Sequence, residues 1–340
     1  MGATGAGKTR LSVDAAVRLP GEVVNSDKLQ LYRGLDLTTN KLPPPLRRGV
    51  PHHLLGSSSA DLPPAAYRPL AAAAVASAAS RLRVPVVAGG SASLIHALLA
   101  ARFDPRADPF SAAGAAARSR VRIRYRCCFI WVDVERELLE EHLDRRVDEM
   151  VGAGMVAELE EQFRNAQKSG EEHRFEKFLG PLGKAIGVKE FGKYFAKECA
   201  YADAVEAVKA ANRRLAAAQA EKIRRIATEW GWPLRRVDAT PAVRARLDGN
   251  ADAAAWETHV LRPAMEAVEE FLIRGEEEEE DERVEVDGVE GELFPTFCVF
   301  CAATLESYDH LMTSCVFVRY VLFCMEGPGD LTPPSEEANE

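Results

Sequence analysis

The first nine residues hold a group that could do chemistry: Gly2, Ala3, Thr4, Gly5, Ala6, Gly7, Lys8 and Thr9 spell G-x-x-x-x-G-K-T. Backbone N–H groups of such a loop converge at a helix N-terminus and cradle phosphate oxygens. Lys8 adds a point charge, and Thr9 offers a hydroxyl to Mg²⁺. The pattern specifies a phosphate ligand and leaves the reaction open. Two carboxylates close apolar runs further on, Asp27 after EVVNS and Asp133 after FIWV. Each is either a cap for the element that follows or a working group at a sheet edge. His52 and His53 adjoin, but no Cys, Asp or Glu stands nearby at ligand spacing, so a loop-ordering role is expected. Cys127 and Cys128 open a buried strand and read as inert packing.

These groups need a scaffold. Strand-like and helix-like stretches alternate through the first half, the pattern of a parallel α/β sheet. The loop opens a helix through about Val17, and EVVNSD reads as a strand ending at Asp27. Residues 65–80 are helical, VPVVAGG and CCFIWVDV are buried strands, and SLIHALLA starts another helix. Beyond residue 134 the pattern is mostly helical. Within 203–226, Val205, Val208, Leu215, Ile223 and Ile226 share one sector at 100° per residue. Lys209, Arg213, Arg214, Lys222, Arg224 and Arg225 lie elsewhere on that helix, as a solvated basic face or a contact to phosphate groups.

The strand that normally precedes a phosphate loop is central and buried on both faces, yet only Met1 precedes Gly2. Without that strand two edges are exposed and several kcal/mol of burial are forfeited. The chain is therefore expected to begin late. The fold class is α/β: a P-loop NTPase-like parallel sheet lacking its first strand, a helical second half and a small C-terminal appendage.

The net charge of −9 is uneven. Residues 275–292 carry −10 and residues 293–340 carry −6, which leaves +7 for residues 1–274. A mildly basic body suits an anionic small ligand or nucleic acid. No run of about 18 uncharged apolar residues is present, so no membrane span is expected. Seven cysteines, an odd number in a long chain, point to a reducing compartment. Expected divisions are residues 1–273 as the main domain (core about 1–134, helical part about 135–273), 274–293 as a disordered acidic linker, 294–326 as a zinc knuckle and 327–340 as a disordered tail. The knuckle would use Cys298, Cys301, His310 and Cys315, a donor set suited to tetrahedral Zn²⁺; the alternative is four unrelated residues. That segment resembles the zinc-binding stretch after plant retrotransposon reverse transcriptases.

Six stretches beyond the loop carry a second resemblance: NSDKLQLYRGLDLTTNK (25–41), GVPHHLLG (49–56), VVAGGSASLIHALL (86–99), CCFIWVDV (127–134), RVDEMVGAGMVAELE (146–160) and KAIGVKEF (184–191). In order and spacing they resemble the isopentenyltransferases that prenylate adenine: the plant adenylate isopentenyltransferases of cytokinin synthesis first, the tRNA dimethylallyltransferases next. The resemblance runs from Gly2 to about Leu272. It implies transfer of the dimethylallyl group of dimethylallyl diphosphate to the exocyclic amine of adenine. The amine's lone pair is delocalised into the purine, so a base must take its proton as the bond forms. The departing diphosphate needs its growing charge neutralised.

On this resemblance Asp27 is the general base, and the loop with Lys8 and Thr9 holds the donor's diphosphate and Mg²⁺. Ser91 in GGS matches a position contacting the diphosphate, against a plain helix cap. Arg146 matches a second diphosphate clamp, against an ion pair with Asp148 or Glu149. Lys184 in KAIG is a further phosphate contact. NSDK, TTNK and GGS resemble the nucleotide-prenylating branch, whose acceptors are ATP and ADP more than AMP; the basic helix keeps tRNA as the alternative. A P-loop nucleotide kinase, with Asp133 on Mg²⁺, is the alternative of another class. The expected compartment is intracellular, plastid or cytoplasm, and the plastid-targeting extension of such enzymes is absent here.

Overall fold

The computed structural model describes residues 1–111 and 121–273. The zinc set, the acidic linker and the tail lie outside the described residues. The chain is α/β, with the parallel strands in two hydrogen-bonded groups. The first group has β1 (Gly21–Asn25) between β2 (His52–His53) and β3 (Val84–Ala88); the second pairs β4 (Phe129–Asp133) with β5 (Leu234–Asp238). Three helices accompany the first group: α1 (Lys8–Arg18), α2 (Pro64–Ser80) and α3 (Ala92–Leu99). The helical half contains α4 (Arg136–Gly152), α5 (Met155–Lys168), α6 (Val188–Phe195), the long α7 (Tyr201–Glu229) and, after β5, α8 (Thr240–Leu247).

Met1 and Gly2 run along the edge of β4 not taken by β5. The Met1 amino group donates to the Ile130 carbonyl at 2.6 Å, Val132 N–H donates to the Met1 carbonyl at 2.9 Å, and Gly2 bridges Val132 in parallel. Burial, reinforced by Lys8, pulls the Met1 amine down to about 5, so it is neutral at physiological pH. β1, paired on both sides, is buried at every position. β3, expected to be buried, is half-exposed along its whole length, because only one of its edges is paired. β4 also departs from a fully buried strand, with only Phe129 and Val132 buried.

Two apolar clusters organise the interior. The larger joins β1, α2 and α3 to the helical half through residues such as Tyr67, Leu98, Leu159, Phe191 and Trp230. The second seats Ala3 and Ala6 of the glycine-rich loop against Val132, Leu139, Leu143, Ala216 and Trp256. The loop is thus clamped to β4, α4 and α7 by small side chains. On α7 the buried residues are Ala204, Val208, Ala216, Ile223 and Ile226; Leu215, expected among them, is exposed. Alanine is what that face requires, because the helix lies against the loop.

Adding about seven strand-forming apolar residues before Met1 should pair the open edges and raise the melting temperature by roughly 5 °C or more. Thermal denaturation of the extended and parent chains checks this, and an unchanged midpoint would contradict it.

Candidate active site

The glycine-rich loop turns into α1 at Gly7, whose φ of 99° lies in the left-handed region that favours glycine. Lys8, the first residue of α1, folds back so that its Nζ donates to the Ala3 carbonyl at 2.6 Å. Thr4 is the contact point for two other elements. Its N–H donates to Gln219 Oε1 on α7 at 2.7 Å, and its Oγ1 accepts from Arg146 Nη2 on α4 at 3.4 Å.

Asp27 stands two residues beyond the end of β1, in the turn that follows. One of its oxygens, Oδ1, accepts the Leu29 N–H at 3.2 Å. Its charge acts on both cations, favouring ionised Lys8 and ionised Arg146. Ser91 reaches the same place by close approach of two loops. Ser91 N–H donates to the Ser26 carbonyl at 3.2 Å, and a Cβ on Gly89 would sit 2.1 Å from Ser26 backbone atoms. Ser91 occupies the N-cap position of α3, but its side chain makes no capping bond; its Oγ lies 3.2 Å from Ser93 Oγ.

Asp148 pairs with Lys209 at 2.7 Å and Glu149 with Arg246 at 3.2 Å, so neither is the partner of Arg146. Arg146 is shielded from water, which lowers its pKa, and Asp27 is the carboxylate that most strongly offsets this. Shielding also brings Lys8 down to about 8, with Asp27 opposing the shift and Arg146 reinforcing it. Two partly buried cations share Asp27 as a nearby carboxylate, with Glu149 acting on Arg146 as well, an arrangement that favours an anionic ligand. Thr9 is exposed on the first turn of α1. Magnesium is commonly held by one or two protein oxygens together with substrate phosphates, so a single hydroxyl beside the loop fits that ion.

Lys184 makes no hydrogen bond to the loop among the described contacts. It is exposed at the end of the turn Gly180–Lys184, which packs on the Leu29–Leu31 turn after Asp27. Asp133 is occupied by Arg236 Nε at 2.8 Å. His53 Nε2 meets Glu22 at 2.6 Å and His52 Nδ1 meets the Val50 carbonyl at 2.8 Å, both ordering the chain locally. No metal-binding cluster occurs among the described residues. Burial pushes the Cys127 thiol up to about 12, in keeping with inert packing. The basic face of α7 is largely spoken for: Lys209 and Arg213 pair with Asp148 and Asp144 of α4, Arg224 with Glu221, and Arg225 with Glu229.

Two residues matter here that motif reading passed over. Gln219 is the one amide in the alanine-rich run LAAAQAEK. Glu158 accepts from Leu37 N–H at 3.0 Å, Thr38 N–H at 2.8 Å and Thr38 Oγ1 at 2.7 Å, fixing the TTNK segment on α5. Lys41 of that segment spends its ammonium on the Gly34 carbonyl, Thr39 Oγ1 and Asp36, at 2.7, 2.8 and 2.9 Å.

The sequence profile described as IPP transferase matches residues 30–121 and 106–226. Adenylate isopentenyltransferase 1 of Arabidopsis thaliana, a chloroplastic protein, is 43% identical over 81% of this chain and 80% of its own. The chain belongs to the IPP transferase family. A second relative, the adenylate isopentenyltransferase of Humulus lupulus, is 42% identical over 80% of this chain and 89% of its own. Solved IPP transferases share the fold. A eukaryotic dimethylallyltransferase acting on tRNA superposes with a TM-score of 0.62 at 21% identity, covering 75% of this chain and 76% of that one. The tRNA isopentenylpyrophosphate transferase of Bacillus halodurans gives 0.59 at 25% identity, covering 79% and 96%.

Lys8 must be protonated to attract an anion, and it loses its proton near pH 8 in the free protein. A bound anion would raise that value, so binding takes up a proton at higher pH. The kcat/KM for a diphosphate substrate should therefore fall as pH rises above about 8, by at most about tenfold per unit. A pH–rate profile checks this; a flat profile from pH 7 to 10 would contradict it.

Proposed function

We propose that this IPP transferase moves the dimethylallyl group of dimethylallyl diphosphate to N6 of the adenine of ATP or ADP, the first step of cytokinin synthesis. The observation that carries the reading is the convergence of Lys8, Arg146 and Asp27 beside the glycine-rich loop. Lys8 and Arg146, with the loop N–H groups, hold the diphosphate and take up the charge that grows as it leaves. Ser91, its hydroxyl free of any cap, donates toward the same group. Thr9 would hold Mg²⁺, which adds positive charge at the leaving diphosphate. Asp27 accepts the N6 proton as nitrogen attacks the allylic carbon. The C–O bond to diphosphate breaks, the N–C bond forms, and pyrophosphate departs.

Free nucleotide is the acceptor favoured over tRNA. The curated relatives above are named for adenylate, and the α7 cations that would track an RNA backbone are engaged by carboxylates. The kinase alternative loses its metal carboxylate to Arg236. The C-terminal segment from residue 275 is not needed for this chemistry.

Incubation with labelled dimethylallyl diphosphate and equal competing ATP, ADP, AMP and tRNA tests the acceptor. Label is expected in ATP and ADP before AMP; label in tRNA alone would overturn the assignment, as would release of ADP from ATP without a prenyl donor. Deleting residues 275–340 should leave turnover within about twofold of the full chain, and a large loss would show that the segment contributes.

A further inference from the structure

Resting on the reading of the loop as the diphosphate site, we propose that Gln219 is a positioning residue that sets Lys8 by fixing one peptide group of the loop. The Ala3–Thr4 peptide is bonded at both ends. Its carbonyl accepts from Lys8 Nζ at 2.6 Å, and its N–H donates to Gln219 Oε1 at 2.7 Å. A peptide unit is planar and rigid, so fixing the direction of the N–H fixes the direction of the carbonyl opposite. A hydrogen bond accepted from one end also polarises the group and strengthens the bond at the other. Without Gln219 the partly buried Thr4 N–H would lack an acceptor, and the peptide would turn to find one. The Ala3 carbonyl, which also accepts the Ala6 N–H at 3.2 Å, would then be held from the loop side only, and its bond to Lys8 would weaken. The effect stays confined to the donor end of the site, because Gln219 holds nothing in the Asp27 turn.

The structure makes room for this contact from both sides. Ala216 packs against the loop in the cluster holding Ala3 and Ala6, so α7 comes close enough for a glutamine to reach Thr4. Gly90, on the neighbouring turn, has no side chain where the Gln219 amide lies; a Cβ there would sit 2.6 Å from Gln219 Nε2, and its three nearest heavy atoms all belong to the Gln219 amide. The tightest constraint on position 90 is thus the Gln219 amide. Gly90→Ala should displace the amide and reproduce the loss of Gln219.

The test is calorimetric binding of inorganic pyrophosphate with Mg²⁺ to the full chain at pH 7, with steady-state prenyl transfer alongside. Lys8→Ala reports whether pyrophosphate uses the loop at all. Gln219→Ala, Gln219→Met and Gly90→Ala should each weaken pyrophosphate by about tenfold and raise KM for the prenyl donor equally. KM for the nucleotide and the melting temperature should hold; a general packing defect would move them together. Adding Gly90→Ala to Gln219→Ala should cost nothing further, because the obstruction has gone. If Lys8→Ala weakens pyrophosphate while both Gln219 variants bind like the parent, the inference is wrong and the site reading stands. Additive losses in the double variant would also overturn it. If Lys8→Ala binds pyrophosphate like the parent, the site reading falls and the inference falls with it.

Discussion

The structure depends on a grouping of partly buried charge. Lys8 and Arg146 are each half-buried, on two different elements, and Asp27 is the carboxylate that acts on both. Guanidinium keeps its proton even when shielded, so the excess of positive charge over Asp27 is carried by Lys8 and falls as pH rises past about 8. A protein keeps such a grouping only where something negative repays it. The rest of the architecture serves to bring those three groups together: two strand ends, the turn of the glycine-rich loop, and α4 and α7 held side by side by Asp144–Arg213 and Asp148–Lys209.

Chemistry follows from the asymmetry of the arrangement. The cations sit with the loop, and the carboxylate sits in the turn beyond β1. A poor nitrogen nucleophile and a good allylic leaving group need those two kinds of help at opposite ends of one bond. The helical half contributes Arg146 and Gln219 and, through Glu158, holds the segment that follows Asp27. It is thus part of the site.

Much of this was legible in the sequence. The glycine-rich loop, a strand read to Asp27 and found to end at Asn25, and helices read at 65–80 and within 203–226 and found at 64–80 and 201–229 follow from local signals: turn glycines, apolar runs and a 3.6-residue period. What was not legible depends on tertiary contact. Leu215 fits the apolar stripe of α7 by angle but is exposed, since alanines rather than leucines face the loop. β3 has the composition of a buried strand and is half-exposed because pairing, which no local pattern encodes, is missing at one edge. Gln219 sits in an alanine run with no motif around it, and its importance lies 215 residues away at Thr4. Lys184 shows the reverse case: a residue set in a recognisable motif that the fold leaves exposed.

The most direct measurement is single-turnover prenyl transfer by Asp27→Asn, with pyrophosphate binding measured on the same protein. If Asp27 takes the N6 proton, the transfer rate falls by about two to four orders of magnitude while pyrophosphate binds at least as tightly as before. A rate within a few-fold of the parent, with pyrophosphate binding intact, would contradict the assignment of Asp27 and with it the mechanism.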